Sequence, residues 1–333
     1  MLNVTNWGLK HWLAALLLLF FALLPLSGDL FYISFFNRMI IMAIAAASLN
    51  LILGYGGMFG FGQAAVIGIG AYSVGIPAYY DIYKGWLHRL IALFFCGLFA
   101  FITGAISLRT RGVHFIMITM AFSQMAFFAF VSIEEYGGDD GLVINARSEF
   151  WPIGDVENNV SLYYVSYLFL VATIYGIYRL VNSRFGGVIQ GARANERRMR
   201  AIGHNTYAYQ LTCYVISGMI CGVAGALMAN FSNFISPDLL HWVRSGELIF
   251  MVILGGSGAL FGPVFGTTLY LLLEEYLSRP TIYEFVTGSA DFLSDMQPWV
   301  YWQLPFGVLL ILVVLYARGG LDGLLSRGEG KNG

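Results

Sequence analysis

Apolar residues run in long stretches along the chain, at about 13–27, 39–54, 64–80, 90–107, 113–133, 161–180, 209–231, 248–273 and 300–317. Asp, Glu, Lys and Arg occur in these runs only at the edges, as Arg179 does. A helix crossing the bilayer needs about 20 such residues, because each residue advances about 1.5 Å through a core about 30 Å thick. The pattern predicts an all-α integral membrane protein, a single transmembrane domain over 1–333 with about eight to ten transmembrane or half-membrane helices. The first run follows Lys10 and His11 and has no small-residue cleavage site after Pro25, so it reads as a retained helix and not a signal peptide.

Charge supplies the orientation. The connection 182–208 carries Arg184, Arg193, Arg197, Arg198 and Arg200 against one acid, Glu196. Arg109 and Arg111 form a second short basic loop, and Arg318, Arg327 and Lys331 mark the tail. Basic loops stay on the cytoplasmic side. The stretches 134–160 and 274–298 are acid-rich, with Arg147 and Arg279 as their respective cations, and read as external. The run 248–273 then has to begin and end outside. It is split by Gly255-Gly256-Ser257-Gly258 and by Gly262-Pro263, which predicts a hairpin of two half-helices. Gly54-Tyr55-Gly56-Gly57-Met58-Phe59-Gly60-Phe61-Gly62-Gln63 makes a similar break in the first half. Paired glycine breaks point to a translocation site built on an internal repeat, with half-helix N-termini facing the solute. Close packing of helices on small residues is the competing reading of the same glycines.

Composition removes other classes. The chain is 58% hydrophobic and 11% charged, against about 25% charged in soluble domains. Its 18 basic and 19 acidic residues nearly cancel, so no field favours nucleic acid. Cys96, Cys213 and Cys221 have no metal or disulfide spacing and read as small buried hydrophobes. No catalytic constellation, metal site or bound cofactor is expected, and no G-x-x-x-x-G-K-[ST] sequence occurs to cradle a nucleotide's phosphates. Ion-coupled carriers and voltage sensors need ionisable groups at membrane depth, and the run interiors show none. Energy for uphill transport would then come from another chain. The polar groups left to line a path are uncharged, among them Asn50, Gln63, Thr119, Ser123 and Gln124. Thr119 and Ser123 share a helix face; interhelical hydrogen bonding is the alternative use.

The stretch 182–208 is too long for a turn. Asn195 can cap a short helix with Glu196 in its first turn, and Gly203 can end it. Arginines mixed with Ala194, Met199, Ala201 and Ile202 suit docking on a soluble partner as well as contact with anionic lipid.

Taken in order, several short motifs resemble one family. They are Ser48-Leu49-Asn50-Leu51, Gly54-Tyr55-Gly56-Gly57, Phe61-Gly62-Gln63-Ala64-Ala65, Arg111-Gly112-Val113-His114-Phe115, Ser183-Arg184-Phe185-Gly186, Arg193-Ala194-Asn195-Glu196-Arg197-Arg198 and Ile253-Leu254-Gly255-Gly256-Ser257-Gly258. The chain resembles, over about 39–317, the inner-membrane permease subunits of ATP-binding-cassette importers of the branched-chain amino acid type, in particular their LivM-like branch. The resemblance implies a multi-pass protein of the bacterial inner membrane. It implies pairing with a second, related permease, ATP hydrolysis on cytoplasmic ATPase subunits and delivery of solute by a periplasmic binding protein. Gly56, Gly57, Gly60, Gly62, Gln63, Thr119, Ser123, Gln124, Gly255, Gly256, Ser257 and Gly258 are then expected at or near the solute path. Arg193, Asn195, Glu196, Arg197, Arg198 and Arg200 are expected to couple it to the ATPase. Many relatives carry His where this chain has Gln63, which leaves branched-chain amino acids, urea, short amides, and aromatic or dicarboxylic acids open as solutes. A passive channel or facilitator for urea or an amide is the alternative to an importer.

Overall fold

The computed structural model describes residues 9–148, 158–278 and 303–316, with 319, 320 and 323. Most of the expected external stretch 274–298 and the tail residues Arg318, Arg327 and Lys331 lie outside the described residues. The described residues are helical almost throughout. In order come α1 (Leu9–Leu23), α2 (Leu30–Asn50), α3 (Gln63–Tyr79), α4 (Gly85–Ser107), α5 (Val113–Val131) and α6 (Asn159–Val181). They are followed by α7 (Arg184–Ala201), α8 (Thr206–Ser232), α9 (Trp242–Gly255), α10 (Gly262–Leu277) and α11 (Gln303–Tyr316). Among the described residues, five helices are long and apolar enough to cross a membrane: α2 with its extension to Tyr55, α4, α5, α6 and α8. By contrast α9, at 14 residues, reaches about 21 Å and falls short of a full crossing.

Several helices start well before the apolar runs that announce them. A charged residue ends an apolar run, but it does not end a helix when another element supplies a partner. Thus α2 begins at Leu30 and carries Arg38, which pairs with Glu274 of α10 at 3.2 Å. Likewise α4 begins at Gly85 and takes in His88, held between the Ser148 hydroxyl and the Ile82 carbonyl at 2.7 Å each. The next residue, Arg89, is buried with its guanidinium 4.2 Å from the centre of the Phe169 ring. The apolar runs themselves keep interiors free of Asp, Glu, Lys and Arg, but the helices reach beyond them, so ionisable side chains stand in α2, α4, α9 and α10 outside the runs.

The core is built where α8 lies against α2, α3 and α4. Glycine makes this possible at the α3–α8 crossing. A Cβ on Gly70 would stand 2.2 Å from the Gly222 carbonyl oxygen, and one on Gly225 would stand 2.0 Å from that of Ile67. The two backbones touch, which is how helices associate in lipid, where dispersion replaces the hydrophobic drive. Cys96, Cys213 and Cys221 are buried within this core as free thiols.

On the outer side β1 (Leu142–Val143) pairs antiparallel with β2 (Phe234–Ile235), Leu142 opposite Ile235. Arg147 ties the same region together, donating to Asn233 at 3.3 Å and Asn159 at 2.8 Å. After β2 the chain turns back toward the interior, where the Ser123 hydroxyl donates to the Leu240 carbonyl at 2.8 Å. The Ser123 bond thus fixes Leu240, two residues before α9 begins at Trp242.

Candidate functional site

The first break begins inside a helix. Beyond Asn50 the backbone of α2 widens into one π-helical turn, Leu51–Tyr55, a deformation that often marks functional positions. Gly57 ends it with φ of +69°, a conformation glycine adopts without strain. The returning segment is anchored at Phe61. Its N–H donates to the Thr119 hydroxyl at 3.0 Å, and its carbonyl accepts from the Ser245 hydroxyl at 2.7 Å. The Ser245 oxygen also receives the Ala64 N–H at 2.8 Å, which fixes the start of α3.

The second break joins α9 to α10. Gly256 and Gly258 have φ of +110° and +89°, and Pro263 stands in the first turn of α10, where its missing N–H costs nothing. The two helices meet backbone to backbone: a Cβ on Gly255 would lie 1.8 Å from the Gly262 carbonyl oxygen. The apolar run 248–273 is thus two helices in a hairpin.

The two breaks touch, and Asn50 joins them. Its side chain is 1% exposed. The amide nitrogen donates to the Ala259 carbonyl and the oxygen accepts from the Gly258 N–H, both at 2.8 Å. A Cβ on Gly54 would meet this oxygen at 2.0 Å and the Gly258 nitrogen at 2.4 Å. Arg193 of α7 reaches the same point. Its guanidinium donates to the Gly54 carbonyl, its aliphatic carbons cover Gly57, and it passes close to Gly258.

The surrounding segment explains why Arg193 points there. α7 is two helical pieces hinged at Asn195, whose backbone is extended (φ −157°, ψ 98°). The first piece buries Gly186, Val188, Ile189 and Ala192. Asn195 caps the second piece, accepting from the Arg198 N–H at 3.0 Å, and Gly203 stops it with φ of +97°. The second piece folds back so that Met199 covers Gly191. Glu196 is its anchor: it pairs with Arg111 at 2.7 Å and Arg200 at 2.5 Å and accepts from Thr206 at 3.1 Å. Between these groups lies a cavity of about 420 Å³, lined by Gly56, Gly57, Arg111, Arg193, Glu196 and Arg200 among others.

The expected path residues therefore divide. Gly56 and Gly57 line the inner cavity, and Gly255, Gly256 and Gly258 form the hairpin tip with Ser257 exposed beside them. Gly60 and Gly62 pack against Thr119 and Tyr214. Thr119 and Ser123 are fully buried, and their hydroxyls are taken up by Phe61 and Leu240. Gln124 is half-buried, and its side-chain oxygen has no partner among the described residues. Gln63 is 2% exposed. Its amide donates to Ser217 at 3.2 Å, and Ser217 donates to the Ser48 carbonyl at 2.6 Å. Neither Gln63 nor the pair Thr119 and Ser123 lines the inner cavity. In the basic segment all four of Arg193, Arg197, Arg198 and Arg200 are exposed; Arg193, Glu196 and Arg200 border the cavity, while Arg197 and Arg198 do not line it and form no ion pair with any described residue.

Sequence reasoning missed the junction role of Asn50, the pairing of Arg111 with Glu196, and an ion pair on α9 between Arg244 and Glu247. The first two are contacts between distant segments. The third was hidden because the apolar run was counted from 248, although Trp242 begins the helix.

A multi-pass helical bundle with two glycine breaks meeting over a basic inner segment defines a membrane permease. The chain matches the family described as branched-chain amino acid transport system / permease component over residues 31–314, and it belongs to that family. It is 25% identical over 307 residues to the high-affinity branched-chain amino acid transport system permease protein LivM of Escherichia coli, covering 84% of this chain and 67% of that one. The protein of the same name from Salmonella typhimurium is 24% identical with the same coverage. A probable branched-chain amino acid transport permease protein LivM of Methanocaldococcus jannaschii is 26% identical over 320 residues, covering 84% of this chain and 89% of that one. No solved structure matches the chain.

Proposed function

We propose that this permease is the membrane subunit of an ATP-driven importer in the bacterial inner membrane, carrying a branched-chain or similar amino acid. A second, related permease would complete the pore, cytoplasmic ATPase subunits would bind and hydrolyse ATP, and a periplasmic binding protein would deliver the solute. The chain itself would hold no cofactor. The observation that carries this reading is the contact of Arg193 with the Gly54 carbonyl, because it joins the basic inner segment to both glycine breaks. A push on α7 from a docked partner would reach Gly54, Gly57 and Gly258 directly. Arg197, Arg198 and Ile202 form the outward face of the same segment, cationic with an apolar centre, and suit that docking. Gly56, Gly57 and the hairpin tip would form the inner end of the solute route. Thr119, Ser123 and Gln63 would hold the breaks in place around it.

Reversing Arg197 and Arg198 to Glu in the assembled transporter tests the docking role. Uptake is lost and the ATPase no longer co-purifies, while membrane insertion is ordinary. Normal uptake with the ATPase still bound would overturn the assignment.

A further inference from the structure

A part-exposed ion pair sits on α9, between two cavities. The Arg244 guanidinium lies 3.0 and 3.2 Å from the two carboxylate oxygens of Glu247, one turn further along the helix. Ionisable pairs in membrane helices are costly and usually mark a solute or ion route. The surroundings of this pair differ on its two sides. On one side lies an outer cavity of about 690 Å³, to which Asp238, His241, Tyr270 and Glu274 also contribute. That volume is in the range of small-molecule sites. On the other side runs a narrow cleft in which Arg244 and Glu247 are the sole polar members of the wall. The rest is aliphatic or thioether, including Ile41, Met42, Met228, Leu248 and Met251. Its free space of about 20 Å³ is little more than one water needs. Three methionines in its wall allow it to widen, since their unbranched side chains repack readily.

We propose that this is a docking site for a zwitterionic α-amino acid with an aliphatic side chain, with Arg244 holding the carboxylate, Glu247 the ammonium group and the cleft the side chain. The substrate class rests on the importer reading above; the geometry of the pair does not. Opening the Arg244–Glu247 pair for a zwitterion exchanges one ion pair for two, so neither charge is left bare. A neutral amide or urea supplies no compensating charge, so separating this half-buried pair for it gives up the pairing and returns nothing in exchange. A dicarboxylic acid re-pairs Arg244 but brings a second anion toward Glu247 and Asp238, Glu274 being already paired with Arg38. The site thus selects by charge at the mouth and by shape in the cleft.

The test uses the full-length chain in phosphatidylcholine nanodiscs and labelled L-leucine as probe. L-Leucinamide lacks the carboxylate and N-acetyl-L-leucine lacks the ammonium group. Each competes roughly tenfold or more weakly than L-leucine, since each forfeits a charge-assisted contact. Arg244→Gln erases the preference over leucinamide, and Glu247→Gln erases the preference over N-acetyl-leucine. The double exchange Arg244→Glu with Glu247→Arg retains an ion pair and checks that the fold survives. Failure of the wild type to bind L-leucine, or unchanged analogue preferences in both single variants, would overturn the site. Binding with the expected analogue order, in a chain whose assembled transporter accumulates no leucine when ATP is supplied, would remove the importer reading and leave the site standing. Uptake of leucine that is unchanged in both variants would do the reverse.

Discussion

Gly54→Ala adds one methyl group at the point where the two breaks meet. That methyl would lie 2.0 Å from the Asn50 side-chain oxygen, 2.4 Å from the Gly258 nitrogen and 2.9 Å from the Gly258 Cα. Asn50 can swing away only by giving up its bonds to Ala259 and Gly258. Gly258 cannot move without the tip of the α9–α10 hairpin. Overpacking of this kind costs about 1–3 kcal/mol. Two polar contacts within a membrane bundle add about 0.6 kcal/mol each, so the expected loss is about 2–4 kcal/mol. Thermal unfolding of the purified chain in one detergent measures it, with Gly176→Ala as the matched control. Gly176 lies inside α6 with no atom within 4 Å of an added methyl, so the same change there is neutral or stabilising by up to about 1 kcal/mol. Equal midpoints for Gly54→Ala and the wild type would refute the contact between the breaks.

Two further substitutions probe the supports of the site. Thr119→Val keeps the shape but removes the acceptor for the part-buried Phe61 N–H, so it costs about 1 kcal/mol in the same unfolding assay; no change would mean that Phe61 is anchored elsewhere. Glu196→Gln weakens the links to Arg111 and Arg200. Its effect on global stability is small, about 0.2–1 kcal/mol, because both arginines are solvated. Amide exchange in 108–112 and 196–206 should nevertheless accelerate, and unchanged protection there would contradict the role of Glu196 as the anchor.

Much of the fold was legible because a bilayer leaves few choices. Long apolar runs had to be helices, and the glycines at 54–62 and 255–262 had to interrupt them. Local chemistry was legible too: the Asn195 cap and the Gly203 stop follow from residues within one turn of each other. Helix starts were less so. Leu30, Gly85 and Trp242 precede charged residues whose presence in a helix depends on partners elsewhere, as Arg38 depends on Glu274. The junction was not legible, because Asn50 and Gly258 are 208 positions apart and nothing local to either announces the other. The same distance problem hid what the polar side chains do. Thr119 and Ser123 share a helix face suited to lining a path, yet each is taken up by a carbonyl or amide of an incoming loop.

Arg193 carries the link from the inner segment to the breaks, and Arg193→Met tests it most directly. The methionine keeps most of the packing on Gly57 but cannot donate to the Gly54 carbonyl. In the assembled transporter the account predicts that the ATPase still binds and still hydrolyses ATP while solute uptake falls to background. Uptake at the wild-type rate in that variant would contradict the central claim.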